Sequence, residues 1–531
     1  MIREKLLQFS KEVILYISLA VYIFLSLTSF FSTAYFDMTY LETTHYKRDF
    51  IPLHLLVLIL FFLLLYMGEK RHVLEKISSQ KLCIILLCYG AVFSGIWSIG
   101  SHAVPTADPF LVADSAADFI RGDFYYLSPG KYLQIYPQQI GYVAYLEILF
   151  RIFGPYSYWA VEAFNTGLIC LEFYMIYKIT GLVFGNKKIT NLVLFLLFGC
   201  LPYLFYVTLV YGELLGAPLA LLAVYFCIRF TREEKISQGI LTALFLGASV
   251  IAKQNNLIVV IALILYLLLK GLERKKISCL LVIALCLLCI RFFDAGIKKQ
   301  YEIRSGYEMG NGVSPLLHIA MGMQEGDMAE GWYNGYILKT FWDHGENFSA
   351  STDQAALDIQ NSVSHFLQNP AYAVKFYYKK IVSQWNNPTY ECLWISHFEN
   401  SHDAPLSVVV QSLYEGKLHR IFLFLVDEYH WLLFAGASLG MFLYRKRFTL
   451  EQLILAVIIL GGFFFHILWE AKSRFILVYF ILLIPYGAAG YVLAIEQLKK
   501  RVESAFPNGI WRSDDKSGAE HKRKDEKRKT I

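Results

Sequence analysis

Thirteen apolar runs recur from one end of this chain to the other, and they decide what it can fold into. They occupy residues 13–31, 51–67, 82–99, 140–153, 158–184, 192–211, 214–228, 240–252, 257–269, 280–293, 431–444, 453–469 and 475–495. A helix rises about 1.5 Å per residue, so about 20 apolar residues are needed to cross a hydrocarbon core about 30 Å thick. Several runs fall short of that length, and their helices either extend into polar flanks or do not cross. With 56% of 531 residues hydrophobic and only 17% charged, the composition lies outside the soluble range. The expectation is an all-α polytopic membrane protein with about 12–13 transmembrane or re-entrant helices and external juxtamembrane loops.

Lysine and arginine set the expected orientation, because short cytoplasmic loops collect them. "MIREK", "GEKRHVLEK", "GNKK", "TREEK", "LERKK" and "YRKR" fall on one side of the bilayer if both termini are cytoplasmic. Segments 107–137 and 294–418 then face outwards. Counting 140–153 as a crossing would put either the first of these or "GNKK" on the wrong side, so that run reads as short or re-entrant. The N-terminus imitates a secretory signal, but its apolar part is too long, and an uncleaved first helix is expected. Of nine cysteines only Cys392 falls in an external segment, which leaves no external disulfide framework. The tail at 498–531 reads as a basic cytoplasmic extension near anionic headgroups. The net charge of +6 reflects this topology and gives no reason to invoke nucleic acid.

No G-x-x-x-x-G-K-S/T loop, H-E-x-x-H or paired Cys-x-x-Cys occurs. No ATP site and no metal ligand set is therefore assigned, and no cofactor is assigned, although a divalent cation stays open. The chemistry-bearing residues stand instead at the outer ends of apolar runs. Asp108 opens "ADPFLVADSAADFIRGD"; Tyr211, Gly212 and Glu213 interrupt "LFYVTLVYGELLGAPLAL"; Lys253 to Asn256 interrupt "GASVIAKQNNLIVVIAL"; and Glu470, Lys472 and Arg474 lie in "HILWEAKSRFIL". Ionisable groups at membrane depth are expensive and usually line a cavity. Taken singly, each has a plainer account: Asp108 suits an N-cap ahead of Pro109, Glu213 a hairpin tip, and Lys253 a snorkelling lysine. Asp114, Asp118 and Asp123 read as the polar face of a surface helix, and Asp427 and Glu428 as the outer boundary of a span. Most external aromatics suit a membrane interface, while Trp332 in "EGWYNGY" and Trp385 in "SQWNNPT" are the candidates for an acceptor groove.

The succession "VPTADPFLVADSAADFIRGDFYYL", "YLQIYPQQIGYVAYLEILFRIFG" and a long helix ending "LVFGNKK" resembles the GT-C class of integral membrane glycosyltransferases. The likeness is to the protein O-mannosyltransferase and aminoarabinose transferase branch, glycosyltransferase family 39-like. "LVYGE", "AKQNN", "MGMQEGDMAEGWYNGY", "SQWNNPTYECLW" and "WEAKSRF" are similar to segments of bacterial members, and the layout extends over residues 80–490. The resemblance implies a membrane core at 82–293 with a first external loop at 100–139. Around it lie two additional N-terminal helices at 1–81, an external loop region with surface helices at 294–418, and C-terminal helices at 419–497. It also implies that Asp108 matches an essential aspartate placed just after a membrane helix, and Glu213 a second acid in a later external loop. Two departures stand out. Pro109 follows Asp108 where members often carry another acid, and Tyr136, Pro137 and Gln138 replace a basic residue before a proline pair.

The chemistry of such an enzyme agrees with that layout. A sugar carried on a polyprenyl phosphate cannot leave the bilayer, so its anomeric carbon must be attacked at the surface. A carboxylate can take the proton of an acceptor hydroxyl, and cations can stabilise the departing lipid phosphate. Arg474 is the preferred clamp because guanidinium bonds phosphate in pairs, with Lys472 and Lys253 beside it; Tyr136 is a candidate substrate contact. The reading is thus a multi-pass cell-membrane glycosyltransferase with an extracytoplasmic active site. Its partners are a polyprenyl-phosphate-linked sugar, a glycan, lipid or protein acceptor, and the bilayer, and the sugar is transferred with inversion. The alternatives are a transporter of a lipid-linked sugar or polysaccharide, which needs charge at mid-membrane, and a scaffold, in which Asp108, Glu213 and Arg474 stand far apart.

Overall fold

In the computed structural model, which describes residues 2–36, 38 and 42–505, the apolar runs become helices. Helices α1 (Ile2–Phe31) and α2 (Ile51–Lys70) are joined through an antiparallel pair, β1 (Ser32–Phe36) and β2 (Thr44–Arg48). Helix α3 (Ser79–Ser101) leads through β3 (Ala103–Pro105) into α4 (Ala107–Arg121) and α5 (Ile140–Phe153). A run of helices follows: α6 (Tyr158–Phe184), α7 (Lys187–Phe198), α8 (Leu201–Phe205), α9 (Glu213–Glu233), α10 (Ile236–Ala252), α11 (Leu257–Arg274) and α12 (Ser278–Ser305). The long segment after it carries α13 (Pro315–Met321), α14 (Tyr336–Asp343), α15 (Phe348–Gln368), α16 (Pro370–Trp385) and β4 (Asn400–His402). Strand β4 pairs antiparallel with β3, Ala103 opposite His402. Helices α17 (Lys417–Tyr444), α18 (Leu450–Leu468) and α19 (Ile484–Ala505) complete the chain. The two short strand pairs are an addition to the expected all-α layout, and the basic tail falls outside the described residues beyond Ala505.

Among the described residues, ten helices, taken with their adjoining turns, are long and apolar enough to cross a membrane. The pair α7–α8, bent by 54°, makes an eleventh span if counted as one. The bend falls just ahead of Pro202, whose ring supplies no N–H to continue the ladder. Helix α10 is apolar but only 17 residues long; counted as well, it makes an even number. Wide exposed apolar faces mark the lipid side, as with Leu55, Leu56, Ile59, Leu60 and Leu63 on α2 and Leu280, Leu281, Leu288 and Phe292 on α12.

The run at 140–153 does not join the spans. At 14 residues it is about 21 Å long, well short of the hydrocarbon core. It is pinned to the end of α12 by Glu147, which is 3% exposed. Arg304 donates to both Glu147 oxygens, at 3.0 and 2.6 Å, Tyr301 Oη donates at 2.6 Å, and Arg151 donates from one turn along. A helix this short, outside the candidate spans, removes the parity difficulty in the sequence.

Breaking a buried ion pair by removing one partner is costly because the other charge is left behind. Glu147→Gln is expected to lower stability by about 2–3 kcal/mol, less than a fully buried pair would lose because Arg151 is half exposed. Thermal unfolding of the purified protein in detergent, compared with Glu233→Gln as an exposed control, measures it.

Candidate active site

Three backbones meet closely where α5 begins, α9 begins and α10 ends. A Cβ on Gly212 would stand 2.1 Å from the Ala252 carbonyl oxygen, and one on Gly141 would stand 2.2 Å from that of Ile251. Only glycine allows this approach, and it sets Glu213, Lys253 and Tyr211 around one point. Above them opens a cavity of about 1160 Å³. Its walls come from the start of α4, the turn at 132–141, the end of α10, the inner side of α12, the segment 311–342 and the loop after α18.

Of the residues singled out in the sequence, Asp108, Lys253, Lys472, Arg474 and Tyr136 line this cavity. Asp108 lies in the first turn of α4 behind Thr106, which takes the N-cap position, and Ala107 between them holds a left-handed φ of +50°. The Asp108 charge reaches Lys253, Tyr132, Tyr136, Tyr211 and Tyr333. Burial, reinforced by Asp108, pushes the Tyr136 phenol well above its ordinary value. It therefore faces the cavity as a hydroxyl.

Glu213 sits behind the cavity wall, 5% exposed. Its Oε1 accepts a 2.7 Å hydrogen bond from Lys253 Nζ, and Arg474 Nε lies 3.9 Å away. Both cations also lie over the Tyr211 ring, Lys253 Nζ at 4.3 Å and Arg474 Cζ at 5.5 Å from its centroid, where the π-face favours positive charge. The geometry makes Glu213 a holder of two cations.

The loop bearing those cations is tied down by residues that the sequence reading left without a role. Glu391, held at a φ of +64° and fully buried, accepts from Ser473 N at 2.8 Å, Ser473 Oγ at 2.7 Å and Arg474 N at 3.1 Å. Lys472 Nζ lies 3.0 Å from Glu42 and 5.3 Å above the Trp394 ring. His318 stacks on Trp469 with ring centroids 4.6 Å apart, and its Nδ1 lies 3.3 Å from Glu470. Fully buried Lys380 on α16 donates to the carbonyls of Gly322 and Trp469. Burial pushes its ammonium down to about 7.

Trp332 and Trp385 do not reach the cavity. Each is 1% exposed: Trp332 Nε1 donates to Ser383 Oγ at 2.8 Å and packs on Phe36, and Trp385 packs on Phe463 and Phe434. Their polar, glycine-rich surroundings suggested solvent contact, but both lie in the core. The lining tryptophans are Trp342, Trp394 and Trp469. Asp114 is half-buried and accepts from the hydroxyls of Tyr126 and Tyr156, both at 2.6 Å; neither it, Asp118 nor Asp123 lines the cavity. Among the signals available beforehand, only "WEAKSRF" and "SQWNNPTYECLW" pointed to the loop and its latch.

A polytopic helical membrane protein with cations and carboxylates gathered in one cavity at the helix ends is the class that fold and site define. Residues 140–293 match the family model described as dolichyl-phosphate-mannose-protein mannosyltransferase. That match supports its assignment as a membrane glycosyltransferase of GT-C type. It spans Gly141, Tyr211, Glu213 and Lys253, while Asp108 and Arg474 lie on either side of it. No curated protein matches the chain.

Lys380 gives a pH dependence with a definite sign. Unfolded, a lysine titrates near 10.4; folded, this one titrates near 7. Between those values the unfolded chain binds a proton that the folded chain does not, so stability rises with pH, by at most about 1.4 kcal/mol per unit. Below pH 7 the lysine is charged in both states and this dependence vanishes. Unfolding midpoints measured from pH 7 to 9.5 should rise more steeply for the wild type than for Lys380→Met.

Proposed function

We propose that the protein transfers a sugar from a polyprenyl-phosphate donor to an acceptor hydroxyl on the extracytoplasmic side of the membrane. The observation that carries this reading is the gathering of Asp108, Lys253, Lys472 and Arg474 around one cavity, because the reaction needs a proton acceptor and a phosphate-stabilising pole within the length of one sugar. The cavity's flank is apolar, with Val250, Ile251, Leu257, Leu287 and Ile290 in its wall. It continues along α12, whose outer side is exposed and apolar, so the first isoprene units have a surface suited to them.

The donor phosphate lies against Arg474, with Lys253 and Lys472 beside it, and the sugar extends towards Tyr136 and Asp108. Asp108 takes the acceptor hydroxyl's proton as the oxygen attacks the anomeric carbon. The bond to the phosphate oxygen breaks, and its electron pair leaves with the lipid phosphate, whose charge the three cations stabilise. Attack from the face opposite the phosphate inverts the anomeric centre. Glu213 holds Lys253 and Arg474 in position from behind and does not touch the sugar. Trp342, Trp394 and Trp469 replace Trp332 and Trp385 as the aromatic surfaces offered to sugar and acceptor.

The orientation that puts this cavity outside, with both termini cytoplasmic, rests on the lysine- and arginine-rich loops at the opposite helix ends. The acceptor belongs to the class of cell-surface glycans, lipids or proteins.

Transfer of a radiolabelled sugar from a polyprenyl-phosphate donor in membranes containing the protein tests the reading. Asp108→Asn should slow transfer by about 100-fold or more. Arg474→Lys should slow it less, having kept the charge and lost the paired hydrogen bonds. Equal rates for Asp108→Asn and wild type would remove the proposed base.

A further inference from the structure

A second charged cluster lies away from the cavity, where the two N-terminal helices meet α17. Asp49 precedes α2, His54 is in its first turn, and Asp427 and Glu428 lie on α17. One ligand atom from each of Asp49, His54 and Asp427 falls within 4.8 Å of the others. His54 is 3% exposed and held between the rings of Phe30 and Trp431, at 5.6 and 5.3 Å. Its Nδ1 lies 3.0 Å from Glu428 Oε1, and its Nε2 faces Asp49 Oδ2 at 3.9 Å.

The charges in this cluster do not balance. Three carboxylates share one imidazole and the hydroxyl of Thr33, which lies 2.7 Å from Asp49 Oδ1 and 3.0 Å from Asp427 Oδ1 and has a single hydrogen to give. Among the described residues, no lysine or arginine pairs with Asp49, Asp427 or Glu428. Asp49 Oδ2 and Glu428 Oε2 are buried without a hydrogen bond, and so is His54 Nε2, 3.9 Å from Asp49 Oδ2. Buried carboxylates are retained when paired or bound to a metal.

We propose that Asp49, His54 and Asp427 bind a divalent cation of the zinc or manganese class. An imidazole nitrogen with carboxylate oxygens suits those ions. Ligands at about 2.1 Å from an ion stand about 3.4 Å apart across a tetrahedron, so a small contraction of the cluster closes around one. Glu428 sets the ring from Nδ1, the usual role of a carboxylate behind a metal-bound histidine. The ion joins three parts of the chain: the β1–β2 pair through Thr33 and Asp49, the start of α2, and α17. From the same hairpin segment Glu42 reaches the main cavity and Lys472. The site is therefore a clamp that positions the hairpin, separate from the sugar-transfer chemistry.

The test is metal uptake by the full-length protein in detergent after stripping with a chelator, followed by equilibration with Zn²⁺ or Mn²⁺, desalting and elemental analysis. Wild type and Asp108→Asn should each retain close to one equivalent, and Asp49→Asn/Asp427→Asn should retain almost none. Re-addition of the ion should raise the unfolding midpoint of the wild type and leave that of the double variant unchanged. If wild type retains no ion, the proposal fails. Full retention by the double variant would also overturn it, placing the ion elsewhere. Should the double variant not fold, Asp427→Asn alone replaces it, with the same loss expected and the same retention counting against the site.

Discussion

The contact on which the cavity depends is the 2.7 Å hydrogen bond from Lys253 Nζ to Glu213 Oε1. Neither group can be buried alone at the end of an apolar helix pair without a cost of several kcal/mol. The pair forms because the start of α9 and the end of α10 approach until the Gly212 backbone touches the Ala252 carbonyl, an approach that any side chain at 212 would prevent. The Glu213 carboxylate also attracts Arg474, 3.9 Å away, from a segment more than two hundred residues along the chain, against the repulsion between Arg474 and Lys253. Two cations are thus collected on one wall by a carboxylate that has no place in the cavity itself.

The loop carrying Lys472 and Arg474 has no regular structure long enough to fix it. Its geometry is imposed from outside, by Glu391 accepting the backbone N–H groups of Ser473 and Arg474 and by Lys380 bonding the Trp469 carbonyl. A carboxylate collecting successive backbone N–H groups leaves the side chains of that backbone free to face the other way. This is how the loop presents charges to the cavity while its own amides are satisfied in the core. The buried Lys380 bears the opposite sign of the same rule, with donors supplied to carbonyls that α18 and the segment before α14 cannot pair internally.

Most of the architecture was legible because membrane spans are written locally, as runs whose length alone decides the matter. The charged wall was legible for a related reason: Asp108, Lys253, Lys472 and Arg474 each interrupt or flank an apolar run, and such interruptions are rare enough to notice. Glu391 and Glu42 are harder to single out because neither interrupts one of the long apolar runs; their roles come from contacts with a loop far along the chain. Trp332 and Trp385 misled for the converse reason. Loop composition around a tryptophan says that the backbone turns, but the ring's burial is decided by what packs over it, here Ser383 with Phe36 in one case and Phe463 with Phe434 in the other. The short helix at 140–153 was flagged by parity of charge, an argument about the whole chain, and its physical cause, the Glu147–Arg304 pair, could not be found from the run itself.

The N-terminal helices looked like an appendage, and the contacts do not allow that description. Asn386, next to the buried Trp385, accepts from Ala34 N at 3.0 Å and from Thr28 Oγ1 at 3.1 Å, and its amide donates to the Ser32 carbonyl. Thr44 N donates to the Met328 carbonyl at 3.0 Å, within the segment that closes over the cavity. Glu42 completes the environment of Lys472. The end of α1 and the β1–β2 pair therefore support the segments that wall the cavity, and Glu42, between the two strands, lines it. Carboxylates from two directions, Glu42 at 3.0 Å and Glu391 at 3.7 Å from its Nζ, fix where Lys472 stands in the cavity. The segment between the two N-terminal helices thereby positions one of the cavity's cations, so this region and the site are built together.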